Sequence, residues 1–404
     1  MTSEKTTGKW VRGLRWVGAV AVAGLLAACG GGGGGGPSGD GSLRVALTDF
    51  PSCGFDNIWV TIDKVRVHQS SGAADSDAGW SEMTLTPPRR VDLLELTNGV
   101  LEELGTMPLA AGRYSQVRLV LASNGTTGTS TVANAVKPTG GVVTPLGTPS
   151  GQQSGLKLQA HFEVEPNQLS DIVLDFDACK SVVKAGNSGQ YNLKPVISVH
   201  PRAVAAIQGF VTTTLSLSST TVSVQQNGTS VRATTPDSTG RFSIPFLSTG
   251  TFTLVVASEG RATAVVTGVP AGTGTTLINS AATALAPPVS GMAEVSGPLT
   301  VTSTLTTTPL TDASVQALQV LTGGPTIELG NQPVDSVLGT YRFRLPTGAP
   351  VKAAYAGSGT LTFVADSLVA GKYTIQAQSP GRATQTKPAD ISAGNVTVPF
   401  TFGP

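Results

Sequence analysis

From Leu43 onward the chain is written almost entirely in period two. Leu43, Val45 and Leu47 alternate with Arg44, Ala46 and Thr48, the pattern of a half-buried strand. Ile58, Val60 and Ile62 keep even positions, whereas the next apolar residues, Val65 and Val67, are odd. An unbroken strand would swap faces there, so the pattern predicts a bulge near Asp63 and Lys64. Residues 69–79 are polar and read as a loop. Residues 80–85 and 90–96 read as two short strands, with Asn98 and Gly99 as a turn. Residues 109–121 read as one strand, with Ser115, Val117, Leu119 and Leu121 on one face and Tyr114, Gln116 and Arg118 on the other. Residues 122–155 are rich in Gly, Thr, Ser, Pro and Asn, too long for a simple connector, and suggest a flap or functional loop. Leu156, Leu158, Ala160, Phe162 and Val164 then alternate with Lys157, Gln159, His161, Glu163 and Glu165, one face dry and one wet. Ile172, Leu174 and Phe176 alternate with Asp171, Val173, Asp175 and Asp177, and residues 191–200 close the unit. The whole of 43–200 reads as an antiparallel β-sandwich or partly open barrel.

Beyond it, residues 207–285 and 288–404 repeat one another. Leu247, Gly250, Phe252 and Thr253 align with Leu368, Gly371, Tyr373 and Thr374; ten residues after each glycine come Gly260, Arg261, Ala262, Thr263 and Gly381, Arg382, Ala383, Thr384. Leu109, Gly112, Tyr114 and Ser115 echo the first part of this pattern. A turn of Asp237, Gly240, Arg241 and Phe242 precedes it, matched by Asp335, Gly339 and Tyr341 at one residue more. The fold class expected is therefore all-β, with three tandem β-sandwich domains at 43–200, 207–285 and 288–404.

The first 42 residues have a different grammar. Lys5, Lys9, Arg12 and Arg15 precede an apolar run from Trp16 that ends in Leu26, Ala27, Ala28 and Cys29. A basic region, a short apolar region and a small-residue cut site make an export signal, and the run is short for a membrane span. Residues 26–29 resemble the lipobox of bacterial lipoproteins, which implies cleavage of 1–28, acylation of Cys29 and a lipid tether. Gly30 rather than an aspartate after Cys29 implies sorting to the outer membrane. Residues 29–42, with seven consecutive glycines from Gly30, read as a Gly-rich leash of roughly 20 Å.

Composition narrows the function. Cutting before Cys29 removes four basic residues and one acid from the 26 and 25 of the whole chain, leaving a net charge of −2 and no electrostatic case for nucleic acid. With Cys29 lipidated, Cys53 and Cys179 are left as a pair in an oxidising compartment; a disulfide is one reading and two buried thiols the other. The chain-entropy model allows ~4–5 kcal/mol for so long a loop.

Candidate chemistry is sparse. Asp175 and Asp177 share a strand face, and with Asp49 or Asp171 they could offer calcium hard oxygen ligands, against the alternative of a hydrogen-bonded strand end. His161, Glu163 and Glu165 lie on a wet face, where a solvated surface is the simpler reading. Tyr114, Phe252 and Tyr373 could stack on sugars, or else cover a sandwich edge. No serine sits in a nucleophile elbow and no glycine run follows a strand into a helix, so neither a hydrolase triad nor a phosphate loop is evident.

Two family resemblances follow. Residues 43–49, 60–68, 91–96, 112–121 and 174–181, with Asp175, Asp177 and Lys180, together resemble a family of bacterial lipoproteins defined only as domain of unknown function 4382. That resemblance implies lipid anchoring and an all-β fold and supplies no catalytic residue. The turn and strand pattern of 207–285, and less closely that of 288–404, resembles the carboxypeptidase regulatory-like domain, a transthyretin-like or carbohydrate-binding-like sandwich that implies a spacer or adhesion unit. The expectation is a non-enzymatic, lipid-anchored envelope protein without cofactors that binds or scaffolds an envelope protein or glycan. A carbohydrate-binding adhesion lipoprotein is the first alternative. An envelope hydrolase, which would need His161, Asp175 and Asp177 to converge, is the second.

Overall fold

A computed structural model describes residues 39–49, 54–125, 132–149, 151–202, 205–303, 306–357 and 360–403. They form three β-sandwiches in sequence order, each around its own hydrophobic core. Cys29 and Cys53 fall outside the described residues. Among the described residues no helix is long and apolar enough to cross a membrane.

In the first sandwich one sheet runs in the order Ile197–Pro201, Leu169–Phe176, Asp40–Asp49, Glu102–Ala110. The other has eight strands, with Phe55–His68 near its centre. Leu43, Val45, Leu47, Ile58, Val60 and Ile62 are all fully buried between the sheets. The face switch on the second strand is real: its register with both neighbours shifts between Ile62 and Lys64. The period of two could not otherwise keep Val65 and Val67 in the core.

Several expectations need correction. The leash ends earlier than residue 42, because Asp40, Gly41 and Ser42 already pair with Ala110, Leu109 and Pro108. A Cβ on Gly41 would stand 2.4 Å from the Glu165 carbonyl oxygen, so glycine here serves close packing rather than looseness. The two short strands at 80–96 are one long strand, Ser81–Asp92, followed by a single 3-10 turn, Leu93–Glu95. Pro87 and Pro88 do not break it because it is an edge strand hydrogen-bonded to Phe55–His68 alone, where missing N–H groups cost no ladder bonds. Residues 109–121 instead span two strands, Glu102–Ala110 and Gly112–Leu121, which belong to different sheets, so the chain crosses the sandwich at Ala111. A register shift between Tyr114 and Gln116 then puts Tyr114 on the same face as Val117 and Leu119, in the core. The loop at 122–155 carries two four-residue strands, Ala135–Pro138 and Thr144–Gly147, paired with each other.

The second sandwich packs a three-stranded sheet centred on Ala205–Phe210 against a six-stranded one. The third packs sheets built on Met292–Thr302 and Ser314–Val320. Their internal repeat is structural. Gly260 and Gly381 take nearly the same left-handed φ, +72° and +73°, closing turns in which the N–H of Arg261 or Arg382 donates to Ser258 or Ser379 at 3.1 Å. One strand breaks the linear order: Val351–Ala354, which lies within 288–404, pairs in parallel with Ala264–Thr267 and extends the sheet of the second sandwich. Its Val351 joins the second core.

Candidate functional site

The residues singled out for ligand stacking are core residues. Tyr114 is 3% exposed, stacks on Phe162 at 5.4 Å and donates its hydroxyl to the Ala110 carbonyl. Phe252 is 1% exposed. Tyr373 is 4% exposed, and its hydroxyl donates to the Pro346 carbonyl. Burial raises the pKa of both tyrosines. Each ring follows the glycine that ends a turn and folds inward to close its sandwich, so none presents a face to a sugar.

The carboxylates are committed elsewhere too. Asp49 accepts from the Ala178 N–H at 3.2 Å, and Asp177 caps the short helix Ala178–Ser181 by accepting from the Lys180 N–H at 3.0 Å. Asp175 faces Arg232 of the second sandwich. Among the described residues no group of three or more His, Cys, Asp or Glu is arranged to hold a metal ion, so Asp49, Asp175 and Asp177 form no calcium cage. His161 is exposed on the strand Leu156–Val164 of the larger sheet, apart from both buried aspartates. Cys179 sits in the capped helix, and Cys53 is outside the described residues.

What gathers instead is a junction of all three sandwiches. Asp175 of the first and Arg232 of the second pair at 3.2 Å with side chains only 8% and 5% exposed. Burial pushes the Asp175 carboxyl up while Arg232 pulls it down; the net shift is upward. His200, in the strand beside Asp175, is depressed to about 4 by burial and then by the Arg232 charge. Nearby, Lys180 pairs with Asp177 at 2.8 Å and feels Glu328 of the third sandwich. Burial lowers the Lys180 pKa, but Asp177, Glu328 and Asp175 together outweigh it and the ammonium ends above its ordinary value. Glu328 is raised by burial against the pull of Lys180. Its backbone is held by Gln225 of the second sandwich, whose amide donates to the Glu328 carbonyl at 2.7 Å and accepts from the Glu328 N–H at 2.8 Å. This side chain stands in for a neighbouring strand, satisfying two backbone groups that the sandwich contact removes from water.

Outer contacts lock the same arrangement. The Asn98–Gly99 turn, with Asn98 at φ +60°, reaches the second sandwich, where the Asn98 carboxamide oxygen accepts from the Ser243 N–H at 2.8 Å. Asp335 of the third sandwich organises its own turn and also accepts from the Gly186 N–H of the first at 3.0 Å. Val255 and Val265 meet Leu321 and Ile327 in a small apolar cluster between the second and third sandwiches. The three bodies enclose a cleft of about 1180 Å³ lined by residues of each, among them Phe55, Lys180, Thr221, Thr263, Glu328 and Arg344. Sequence reasoning singled out Asp175 and Asp177 but missed Arg232, Gln225 and Glu328. Their only signal was polarity at strand positions where the alternation calls for something apolar or solvent-facing.

Comparisons with known proteins add little beyond the first sandwich. No curated protein matches the chain. Among solved structures, the TIE protein of Bacillus anthracis is 12% identical, with 90% of this chain and 50% of that one covered at a TM-score of 0.17. The chain thus spans half the length of that relative. The minor pilin of the gram-positive pathogen Streptococcus agalactiae is 10% identical, covering 50% of this chain and 85% of its own, TM-score 0.17. The pilus adhesin SpaC from Lactobacillus rhamnosus GG is 8% identical over 91% and 44%, TM-score 0.16. At such scores none serves as a template for function. Residues 40–195 match the model of the family described as Domain of unknown function (DUF4382), the family that the first sandwich resembles in sequence.

Proposed function

We propose that this chain is a non-enzymatic, lipid-anchored envelope protein in which three sandwiches act as one rigid body, holding an extracytoplasmic partner away from the outer membrane. The observation that carries the reading is the junction: a spacer of independent beads would have no reason to bury Asp175 with Arg232 or to satisfy the Glu328 backbone with Gln225. Buried polar contacts of this kind fix one relative geometry, because each is costly unless its partner is in place. The strand Val351–Ala354, donated from the third sandwich to the second, works in the same direction.

In this reading Cys29 carries the lipid, residues 30–39 form the leash, and the repeated sandwiches are diverged regulatory-like units. A Cys53–Cys179 bridge fits as well. Asp49 and Phe176 are register partners in parallel strands, and the chain has four residues from Asp49 to Cys53 and three from Phe176 to Cys179.

Two measurements test the proposal. Small-angle scattering of the chain from residue 39 onward should fit one compact particle; a profile of three units moving independently overturns the scaffold. Metabolic labelling with an alkyne fatty acid should tag the wild-type protein and not Cys29→Ala, and a tag that survives the substitution overturns the anchor.

A further inference from the structure

The junction cleft is built for a ligand of a definable kind. One wall is the outer face of the six-stranded sheet in the second sandwich. Thr221 stands opposite Ala257, and Ser223 opposite Val255, across neighbouring strands. Where that face carries Val255 and Val265 it is covered by the third sandwich. At Thr221 and Ala257 it is left part-exposed to the cleft, while the buried Ser223 and Thr263 lie beneath its floor.

The charged groups in the lining already have protein partners. Lys180 is paired with Asp177 at 2.8 Å, Arg344 with Glu259 at 2.6 Å, and Arg342 with Glu294 at 3.3 Å. Arg261 donates to two backbone carbonyls, those of Pro287 and Thr214. The cleft therefore offers little net field to steer an ion. What it offers freely is hydroxyl groups: those of Ser218, Thr221 and Thr235 make no hydrogen bond within the described residues. Phe55 and Leu94, both part-exposed, add apolar surface to the same lining.

Balanced charge, free hydroxyls and apolar patches suit a ligand that is itself neutral, polyhydroxylated and faced with C–H surfaces. The volume of about 1180 Å³ exceeds that of ordinary small-molecule sites, which run roughly 300–1,000 Å³, and fits several sugar units. A peptide is the weaker fit. Extended peptides bind by adding to a sheet edge, and this wall is a sheet face whose strands are hydrogen-bonded on both sides. We propose that the cleft between the three sandwiches binds a neutral oligosaccharide. The inference rests on the scaffold reading, since the site exists only while all three sandwiches are docked.

The test uses the purified full chain, titrated with maltotetraose, cellotetraose, chitotetraose, mannotetraose and an alanyl-serine hexapeptide, followed by calorimetry and saturation-transfer NMR. At least one tetrasaccharide should bind with a sub-millimolar Kd that does not change with salt. Thr221→Phe and Ser218→Phe, which add bulk on the open wall without touching the core, should each weaken it about tenfold or more at an unchanged Tm. No binding of any tetrasaccharide, binding of the hexapeptide alone, or saccharide binding indifferent to both variants overturns the proposal. A compact scattering particle that binds no saccharide would overturn this inference alone and leave the scaffold standing.

Discussion

Replacing Arg232 by alanine should unlock the junction from its most buried contact. In the wild type the guanidinium lies 3.2 Å from the Asp175 carboxylate, and both side chains are more than nine-tenths buried. Truncation leaves a carboxylate in a site that already pushes its pKa upward, now without the cation that opposes that push. Breaking a buried pair in this way costs about 3–5 kcal/mol, several times what an exposed pair is worth. The loss falls on the first sandwich, because Asp175 belongs to its strand Leu169–Phe176. Trp59 and Trp80 are the tryptophans of the chain from residue 39 onward and both lie in that sandwich, so urea unfolding followed by tryptophan emission reads it directly. The pH dependence has a definite sign. Without Arg232 the native Asp175 prefers the protonated form still more, so the deficit should be largest at neutral pH and shrink as pH falls toward the ordinary carboxylate range. Asp175→Asn in the same chain removes the stranded charge and should recover most of the loss. A deficit in Arg232→Ala below about 1 kcal/mol, or no rescue by Asp175→Asn, would show that the pair is solvated and not the lock described here.

Other consequences are read with the same methods. His200 has a native pKa of about 4 against an ordinary 6.5, so below about pH 6.5 the unfolded chain takes up a proton that the native one refuses. His200→Gln should therefore gain on the wild type as pH falls from 6.5 to 4, by at most about 3 kcal/mol; equal pH profiles for the two would refute it. Asp175 and Glu328 have raised values and act in the opposite direction, which is why the difference between variant and wild type is the quantity to read. Val351→Pro removes the N–H that donates to Thr263 at 2.8 Å and should speed amide exchange in Ala264–Ala271 of the second sandwich, although the substitution lies within 288–404. Tyr373→Phe leaves the buried Pro346 carbonyl without its donor and should cost about 1–3 kcal/mol while leaving saccharide binding unchanged.

The parts of the fold that were legible in the sequence are those governed by one strand and its two faces. The switch from Ile62 to Val65 announced a bulge because period two admits no other explanation. The repeated Gly260 and Gly381 turns were legible because left-handed backbone selects glycine. Where two strands compete for one apolar run, the reading failed. At Ala111 one apolar run serves two strands of different sheets, and Tyr114 falls on the opposite face from the one simple alternation assigns it because the bulge beside it leaves no mark in hydrophobicity. The strand Ser81–Asp92 reads as two pieces in sequence because nothing local to Pro87 and Pro88 says that their strand has only one neighbour.

The candidate site was hidden for a different reason. Arg232, Gln225 and Glu328 each look, along their own strands, like an ordinary polar position. Their role appears only when strands more than a hundred residues apart are brought face to face, as Gln225 and Glu328 are. A chain with only 13% charged residues that nonetheless places an arginine, a lysine, three carboxylates and a histidine where its sandwiches meet is spending scarce charge on geometry. Apolar contact alone would let the sandwiches slide, since burial is non-directional, whereas a buried pair tolerates one arrangement. The same arrangement brings the hydroxyls of Ser218 and Thr221 and the side chains of Phe55 and Leu94 onto the lining of a single cleft. Stability at the junction and recognition in the cleft are thus two readouts of one geometry. A variant that loosens the Asp175–Arg232 pair should weaken saccharide binding without altering any residue a sugar would touch.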